Sequence, residues 1–362
     1  MMTWLFLGLG LILLVAGADL LVKGAARLAG AFGVPSLVIG LTVVAFGTSA
    51  PELAVSVKAA YAGQAELAIA NVVGSNIFNV LFILGVAALI MPLVISKQLI
   101  RQDVPIMVGV SFLVMWMVRD LQLDKIECAV LVTGLVAYTF FLFKQGKAQG
   151  AEGAESGDDE VEAMLKEPHP MWQNLLFVVG GLALLVLGAR WLVESAIALA
   201  TAWGVNEAVI GLTIVAAGTS LPEVVTSIVA TIRGERDIAV GNVVGSNIFN
   251  VLCVLGLSGL VSPIPLVAGE QMSQLDIPVM LAVALLCVPF FFAGAILNRI
   301  EGALFLTAYV AYTWYLVALT LKMEYLPQLQ DYIVYGLIPV IGVYVVLSLL
   351  NDFRQRRKQV AS

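Results

Sequence analysis

The sequence predicts an all-α polytopic membrane protein: two inverted five-helix repeats with helices 2, 3, 7 and 8 broken, plus an eleventh, C-terminal helix. Composition, the length of the apolar runs and a constant internal offset carry that prediction. Of 362 residues, 60% are hydrophobic and 12% charged, whereas a soluble domain is about half apolar and a quarter charged. A bilayer core takes ~20 apolar residues per helix. Eleven runs fit that ruler: roughly 4–22, 35–61, 67–91, 104–118, 126–143, 172–200, 206–232, 238–262, 276–295, 302–321 and 332–350. The runs are continuous rather than alternating, which argues against the strands of an outer-membrane barrel.

The offset comes from internal repetition. VIGLT at 38–42 returns at 209–213, GTSAPE at 47–52 returns as GTSLPE at 218–223, and NVVGSNIFNVL at 71–81 returns unchanged at 242–252. Each pair is separated by 171, so residues 38–85 align without a gap to 209–256. Five spans is an odd number, so the second half is expected upside down. Asp19 and Lys23 in the first span face Arg190 and Glu194 at the matching places of the sixth, a charge inversion in keeping with opposite orientation. Inverted repeats with interrupted helices are the architecture of secondary transporters, whose sites lie where the repeats meet.

With the N-terminus outside and eleven alternating spans, fourteen Lys and Arg fall inside: Lys23, Arg27, Lys97, Arg101, Lys144, Lys147, Lys166, Arg233, Arg236, Arg299, Arg354, Arg356, Arg357 and Lys358. Only Lys58, Arg119, Lys125 and Lys322 fall outside, and Arg190, within the sixth span, is not counted. That is the positive-inside bias, and it also supports the eleventh span. The reading places the first repeat at 1–143, an acidic cytoplasmic linker at 144–171, the second repeat at 172–321, the extra helix at 332–350 and a basic cytoplasmic tail at 351–362. The linker lacks EF-hand spacing and reads as a solvated connector. Cys128, Cys253 and Cys287 lie far apart in apolar spans and read as buried small residues, and the single histidine, His169, excludes His-based metal chemistry. No basic region precedes the first apolar run, so no cleavable signal is expected.

The polar islands raise the question of function. Proline at 51 and 222 cannot donate a backbone hydrogen bond and clashes one turn back, so the carbonyls of Ala45 to Thr48 and Ala216 to Thr219 are expected to lose helical partners. Within hydrocarbon, such backbone must line a cavity or find a ligand. Beside it stand Thr48, Ser49 and Glu52, and again Thr219, Ser220 and Glu223. Oxygen-only groups with two carboxylates suit a hard cation such as Ca²⁺, and suit Na⁺ as well. Two negative charges balance one Ca²⁺ or two Na⁺. An intramembrane glutamate without a Lys or Arg partner is functional by default. Ser75 and Asn79 share a helical face, as do Ser246 and Asn250. Each alone is consistent with interhelical hydrogen bonding, but their duplication beside the glutamates makes them walls of a site. Gly74 and Gly245 read as places of close packing or a kink.

GTSxPE followed by GNxxGSNIFN, both duplicated, resembles the repeats of the cation/Ca²⁺ exchanger superfamily, most closely its prokaryotic Na⁺/Ca²⁺ exchangers; the resemblance covers about residues 1–321. It implies that Glu52 and Glu223 share Ca²⁺ with Thr48 and Thr219. It further implies a Na⁺ position toward the inside from Ser49, Ser75 and the Ala45 carbonyl. A mirror position toward the outside would come from Ser220, Ser246 and the Ala216 carbonyl, with Asn79 and Asn250 bordering the middle. The first and sixth helices would slide across the core to alternate access. Two positions depart from the family pattern: Asn250 stands where archaeal and animal exchangers carry Asp, and Ala70 replaces the first Gly of GNxxGSN.

The expected function is therefore a Na⁺/Ca²⁺ antiporter of a prokaryotic inner membrane, with a H⁺/Ca²⁺ exchanger as the alternative because a desolvated glutamate can also carry a proton. No enzyme activity, cofactor, nucleic acid or protein partner is expected. A channel is more often built as a ring of subunits, an intramembrane enzyme lacks its nucleophile or metal constellation, and a scaffold gives the twin islands no role.

Overall fold

The computed structural model describes residues 2–156, 170–203 and 216–361. His169, the repeat segment 209–213 and the first part of the seventh span lie outside the described residues. Among the described residues, nine helices are long and apolar enough to cross a membrane. They are α1 (Met2–Phe32), α3 (Ala65–Ile90), α4 (Leu99–Asp120), α5 (Lys125–Ser156), α6 (Met171–Ala202), α8 (Arg236–Val261), α9 (Met272–Phe292), α10 (Arg299–Thr320) and α11 (Leu326–Arg354). The second span, α2, is a bent pair, Ser36–Thr48 and Ala50–Tyr61, with 46° between its parts. The seventh, α7, comprises Ala216–Thr219 and Leu221–Ile232.

Several expected boundaries are corrected. The fifth helix does not end at 143 but continues to Ser156, so the linker begins as helix; Lys, Gln, Ala and Glu in 144–156 are good helix formers. The basic tail is likewise helical, to Ala361. α1 extends to Phe32, beyond residue 22, and stops at Gly33, whose φ of +63° is left-handed. Of the four helices expected to be broken, α3 and α8 remain continuous spans. Lacking proline, they absorb their irregularity as π-helical turns at matching places, Asn79–Leu84 and Asn250–Leu255. Such turns frequently mark functional sites.

α2 and α7 end alike. Gly63 (φ +78°) and Gly234 (φ +82°) let Gln64 N–H reach back to the Ala59 carbonyl at 2.8 Å and Glu235 N–H to Ala230 at 2.9 Å, the Schellman arrangement that glycine permits. At the centre lie α3 and α8; the apolar window of α8 is buried throughout. α2 packs against both, α7 packs against α8, and α4, α5, α9 and α10 flank them.

Among the described residues, four short strands tie the halves: β1 (Leu93–Val94), β2 (Gln122–Leu123), β3 (Leu266–Val267) and β4 (Ile296–Leu297). β1 pairs antiparallel with β4, and β2 with β3. α4 separates β1 from β2, so the two sheets lie at opposite ends of a spanning helix. The equivalent loops after α3 and α8 contribute to different sheets and so occupy opposite ends. The inversion expected from parity is thus visible in the strand pairing.

α1 and α6 pack antiparallel through glycine. A Cβ at Gly17 would lie 2.8 Å from the Gly181 carbonyl oxygen, and one at Gly188 would lie 2.7 Å from that of Gly10. Small residues at such crossings are what bring membrane helices together. Lys23 pairs with Asp19 at 2.9 Å and Arg190 with Glu194 at 2.8 Å. Asp19 also pairs with Arg233 at the end of α7.

Candidate functional site

The bend in α2 positions the first island. Ser49 (φ −80°, ψ 5°) and Ser220 (φ −87°, ψ 7°) leave the helical backbone conformation just before Pro51 and Pro222. This turns each following helix so that its first-turn glutamate points inward; Glu52 and Glu223 are both 0% exposed. The Ala45 carbonyl keeps its helical bond, from Ser49 N–H at 3.0 Å, contrary to the expectation from proline. The group that Pro51 deprives is the carbonyl four residues back, at Gly47.

The two islands meet across the repeats. The Ser220 hydroxyl donates to Glu52 Oε1 at 2.8 Å, and the Ser49 hydroxyl donates to Glu223 Oε1 at 3.1 Å. Thr48 donates to Asn242 Oδ1 at 3.1 Å and Thr219 to Asn71 Oδ1 at 3.4 Å. Asn71 Nδ2 in turn holds the Glu52 carbonyl (3.3 Å) and Ser56 Oγ (2.9 Å), while Asn242 Nδ2 holds the Glu223 carbonyl (3.4 Å) and Ser227 Oγ (3.0 Å). Every one of these contacts is matched by its counterpart 171 residues on.

The serine groupings carried over from the resemblance are crossed in the structure. Ser75 Oγ lies 3.1 Å from Ser220 Oγ, and Ser246 donates to the Ala45 carbonyl at 3.5 Å. Gly245 allows the latter approach, since a Cβ there would sit 2.7 Å from the Leu41 carbonyl oxygen. Ala216 opens the helical turn before Thr219 and Ser220.

Each glutamate is thus half answered. Glu52 Oε2 and Glu223 Oε2 are buried with no hydrogen-bond donor, and so are Asn79 Oδ1 and Asn250 Oδ1. These are four acceptors at two pairs of equivalent positions. Leaving a buried polar atom unmet costs about 1–3 kcal/mol, more when it is charged. Acceptors that lack donors can be answered by a cation or by water.

Sequence reasoning missed a second duplicated device. Asp103, on α4, accepts from Gln98 Nε2 and the Tyr138 hydroxyl, both at 3.2 Å. Asp276, on α9, accepts from Gln271 Nε2 at 3.5 Å and the Tyr312 hydroxyl at 2.7 Å. The signal was present as Q-x₄-D-x-P at 98–105 and 271–278, at an offset of 173 rather than 171. These acids fasten α4 to α5 and α9 to α10.

The profile of the sodium/calcium exchanger protein family matches residues 2–144 and 173–318. The chain belongs to the sodium/calcium exchanger family. The sodium/calcium exchanger MaX1 of Methanosarcina acetivorans is 35% identical over 341 residues, covering 85% of this chain and 97% of that protein. The inner membrane protein YrbG of Escherichia coli is 40% identical over 256 residues, 70% of this chain and 78% of that one. Among solved structures, the sodium-calcium exchanger NCX_Mj matches with a TM-score of 0.74 and 30% identity, covering 88% of this chain and 98% of its own. This member of the family is an integral, all-α polytopic membrane protein, and α11 lies beyond the region that the family profile matches.

Proposed function

We propose that the chain is a secondary antiporter that exchanges Na⁺ for Ca²⁺ by alternating access at a central two-glutamate site. The observation that carries this reading is the set of four buried, donor-less oxygens on Glu52, Glu223, Asn79 and Asn250. The glutamates supply charge for one Ca²⁺ or two Na⁺, and Thr48, Thr219, Ser49, Ser220, Ser75 and Ser246 supply neutral oxygens, with the Ala45 and Ala216 carbonyls at the break. Two repeats, 1–143 and 172–321, form the transport unit, joined by the cytoplasmic linker 144–171. The extra helix 332–350 returns the tail 351–362 to the cytoplasm. Ca²⁺ binds through 6–8 oxygens, a number that this donor set can reach with water.

Sodium coupling is favoured over proton coupling by the amides. A proton is held on a carboxylate oxygen and not on an amide oxygen, whereas a cation is coordinated by both kinds. The test is Ca²⁺ uptake into Na⁺-loaded proteoliposomes diluted into Na⁺-free buffer at equal pH with a protonophore present. Uptake that requires the outward Na⁺ gradient supports the reading. Uptake that appears only with a pH gradient and no protonophore replaces it with proton exchange. Glu52→Gln and Glu223→Gln are each expected to cut flux at least tenfold.

A further inference from the structure

Four asparagines lie where α3 meets α8: Asn76, Asn79, Asn247 and Asn250, none more than 2% exposed. Asn76 Nδ2 donates to the Asn247 backbone carbonyl at 3.1 Å, and Asn247 Nδ2 donates to the Asn76 carbonyl at 3.2 Å. A backbone carbonyl only accepts, so these contacts fix which end of each amide is nitrogen. The same nitrogens face thioethers, Met280 Sδ at 3.7 Å from Asn76 and Met107 Sδ at 3.6 Å from Asn247. Thioethers also only accept, which reinforces the assignment.

With its nitrogen committed, Asn76 has only Oδ1 to offer its other neighbour. That neighbour is Asn250, whose Nδ2 donates to it at 3.1 Å. Asn79 Nδ2 donates to Asn247 Oδ1 at 3.0 Å in the same way. The second end of each inner amide, Asn250 Oδ1 and Asn79 Oδ1, then carries no donor. We propose that Asn76 and Asn247 are positioning residues that act across the repeats: Asn76 sets Asn250, and Asn247 sets Asn79, so that both inner amides turn their oxygens toward the ion path.

This rests on the cation-site reading above and deepens it. An amide turned the other way would present two N–H hydrogens to a cation, so the outer pair decides the sign of the dipole the ion meets. The assignment also runs against sequence proximity. Asn76 and Asn79 are one helical turn apart on α3, yet each serves a partner on α8. Simple interhelical bonding accounts for adhesion but not for two oxygens being left without donors at equivalent positions.

The experiment is a double-mutant cycle on the apparent KM for Ca²⁺ in Na⁺-driven uptake. Asn76→Leu keeps the side-chain shape but neither donor nor acceptor and is expected to raise KM about tenfold, with kcat changed less. Adding Asn250→Ala to it is expected to change KM less than about threefold further, while adding Asn79→Ala multiplies the two single effects. Asn247→Leu should show the mirror pattern, coupled to Asn79 and additive with Asn250. Asn76→Asp, which in its acid form donates to the Asn247 carbonyl and still accepts from Asn250, should keep KM close to the parent value. Should Asn76→Leu fail to fold, the Asn247→Leu cycle decides.

Coupling within a half, additivity at every pair, or equal KM for Asn76→Asp and Asn76→Leu would each overturn the proposal. The Glu52→Gln control separates the two readings. Full uptake in that variant removes the site itself, whereas lost uptake with an additive asparagine cycle removes only the cross-repeat positioning.

Discussion

Glu52 and Glu223 stood out in the sequence because a carboxylate in an apolar span with no cationic neighbour is costly and functional by default. Their hydroxyl partners were harder to assign. Helical spacing places Ser49 on the same island as Glu52, but the structure gives Ser49 to Glu223 and Ser220 to Glu52. Spacing along one helix cannot report a contact made across a pseudo-twofold axis. For the same reason helical spacing did not single out Asn76 and Asn247, although Asn76 accepts from Asn250 and Asn247 from Asn79 across the repeats. Ser49→Ala removes the hydroxyl that donates to Glu223. A few-fold change in Ca²⁺ affinity is expected, with Ser220→Ala matching it through Glu52; isothermal titration in detergent measures both. Asn250→Asp places a titratable acid against the Asn76 acceptor oxygen. Its Na⁺-driven uptake should acquire a step in the pH profile that the parent lacks, and an unchanged profile would show that position 250 does not reach the ion path.

At the scale of elements, apolar run length located the spans, and proline located the bend in α2. Run length did less well at the ends, because helix formers carry α5 to Ser156 although residues 144–156 are polar. The π-helical turns at Asn79 and Asn250 leave no mark of their own, since they differ from α-helix by a single inserted residue rather than by a breaker. The α1–α6 crossing depends on absent side chains. Gly17→Val would drive a side chain into the Gly181 backbone and should destabilise the protein by about 1–3 kcal/mol, read as a lower melting temperature in detergent. Gly8, whose Cβ would meet nothing within 4 Å, is the control and should tolerate Ala. Tyr312→Phe removes the 2.7 Å bond to Asp276 and should cost about 1–3 kcal/mol by leaving a buried acceptor unmet. Because Tyr312 lies outside the ion site, the KM for Ca²⁺ should hold.

For the whole molecule, the parity of the repeats and the positive-inside bias combine into one topology, and α11 decides where the chain ends. α11 is tied to the α9–α10 loop at two points: Asn298 Nδ2 donates to the Tyr344 hydroxyl at 3.2 Å, and the Gly294 N–H donates to Asp352 Oδ1 at 3.1 Å. That loop carries β4, which pairs with β1, so α11 is fastened to the sheet that the bias places inside. Lys322, on the opposite side of α10 from this loop, is exposed, as is Lys97 beside β1. The three native cysteines are buried and lie outside any disulfide, which leaves a quiet background for thiol labelling. In intact cells a membrane-impermeant maleimide should therefore label Lys322→Cys, and should label Lys97→Cys only after the membrane is opened. The reverse pattern would invert the protein and move its basic tail outside, against the fourteen-to-four distribution of Lys and Arg. Labelling of both from one side would break the alternation of α4 through α10 and with it the inverted pairing of the two glutamates.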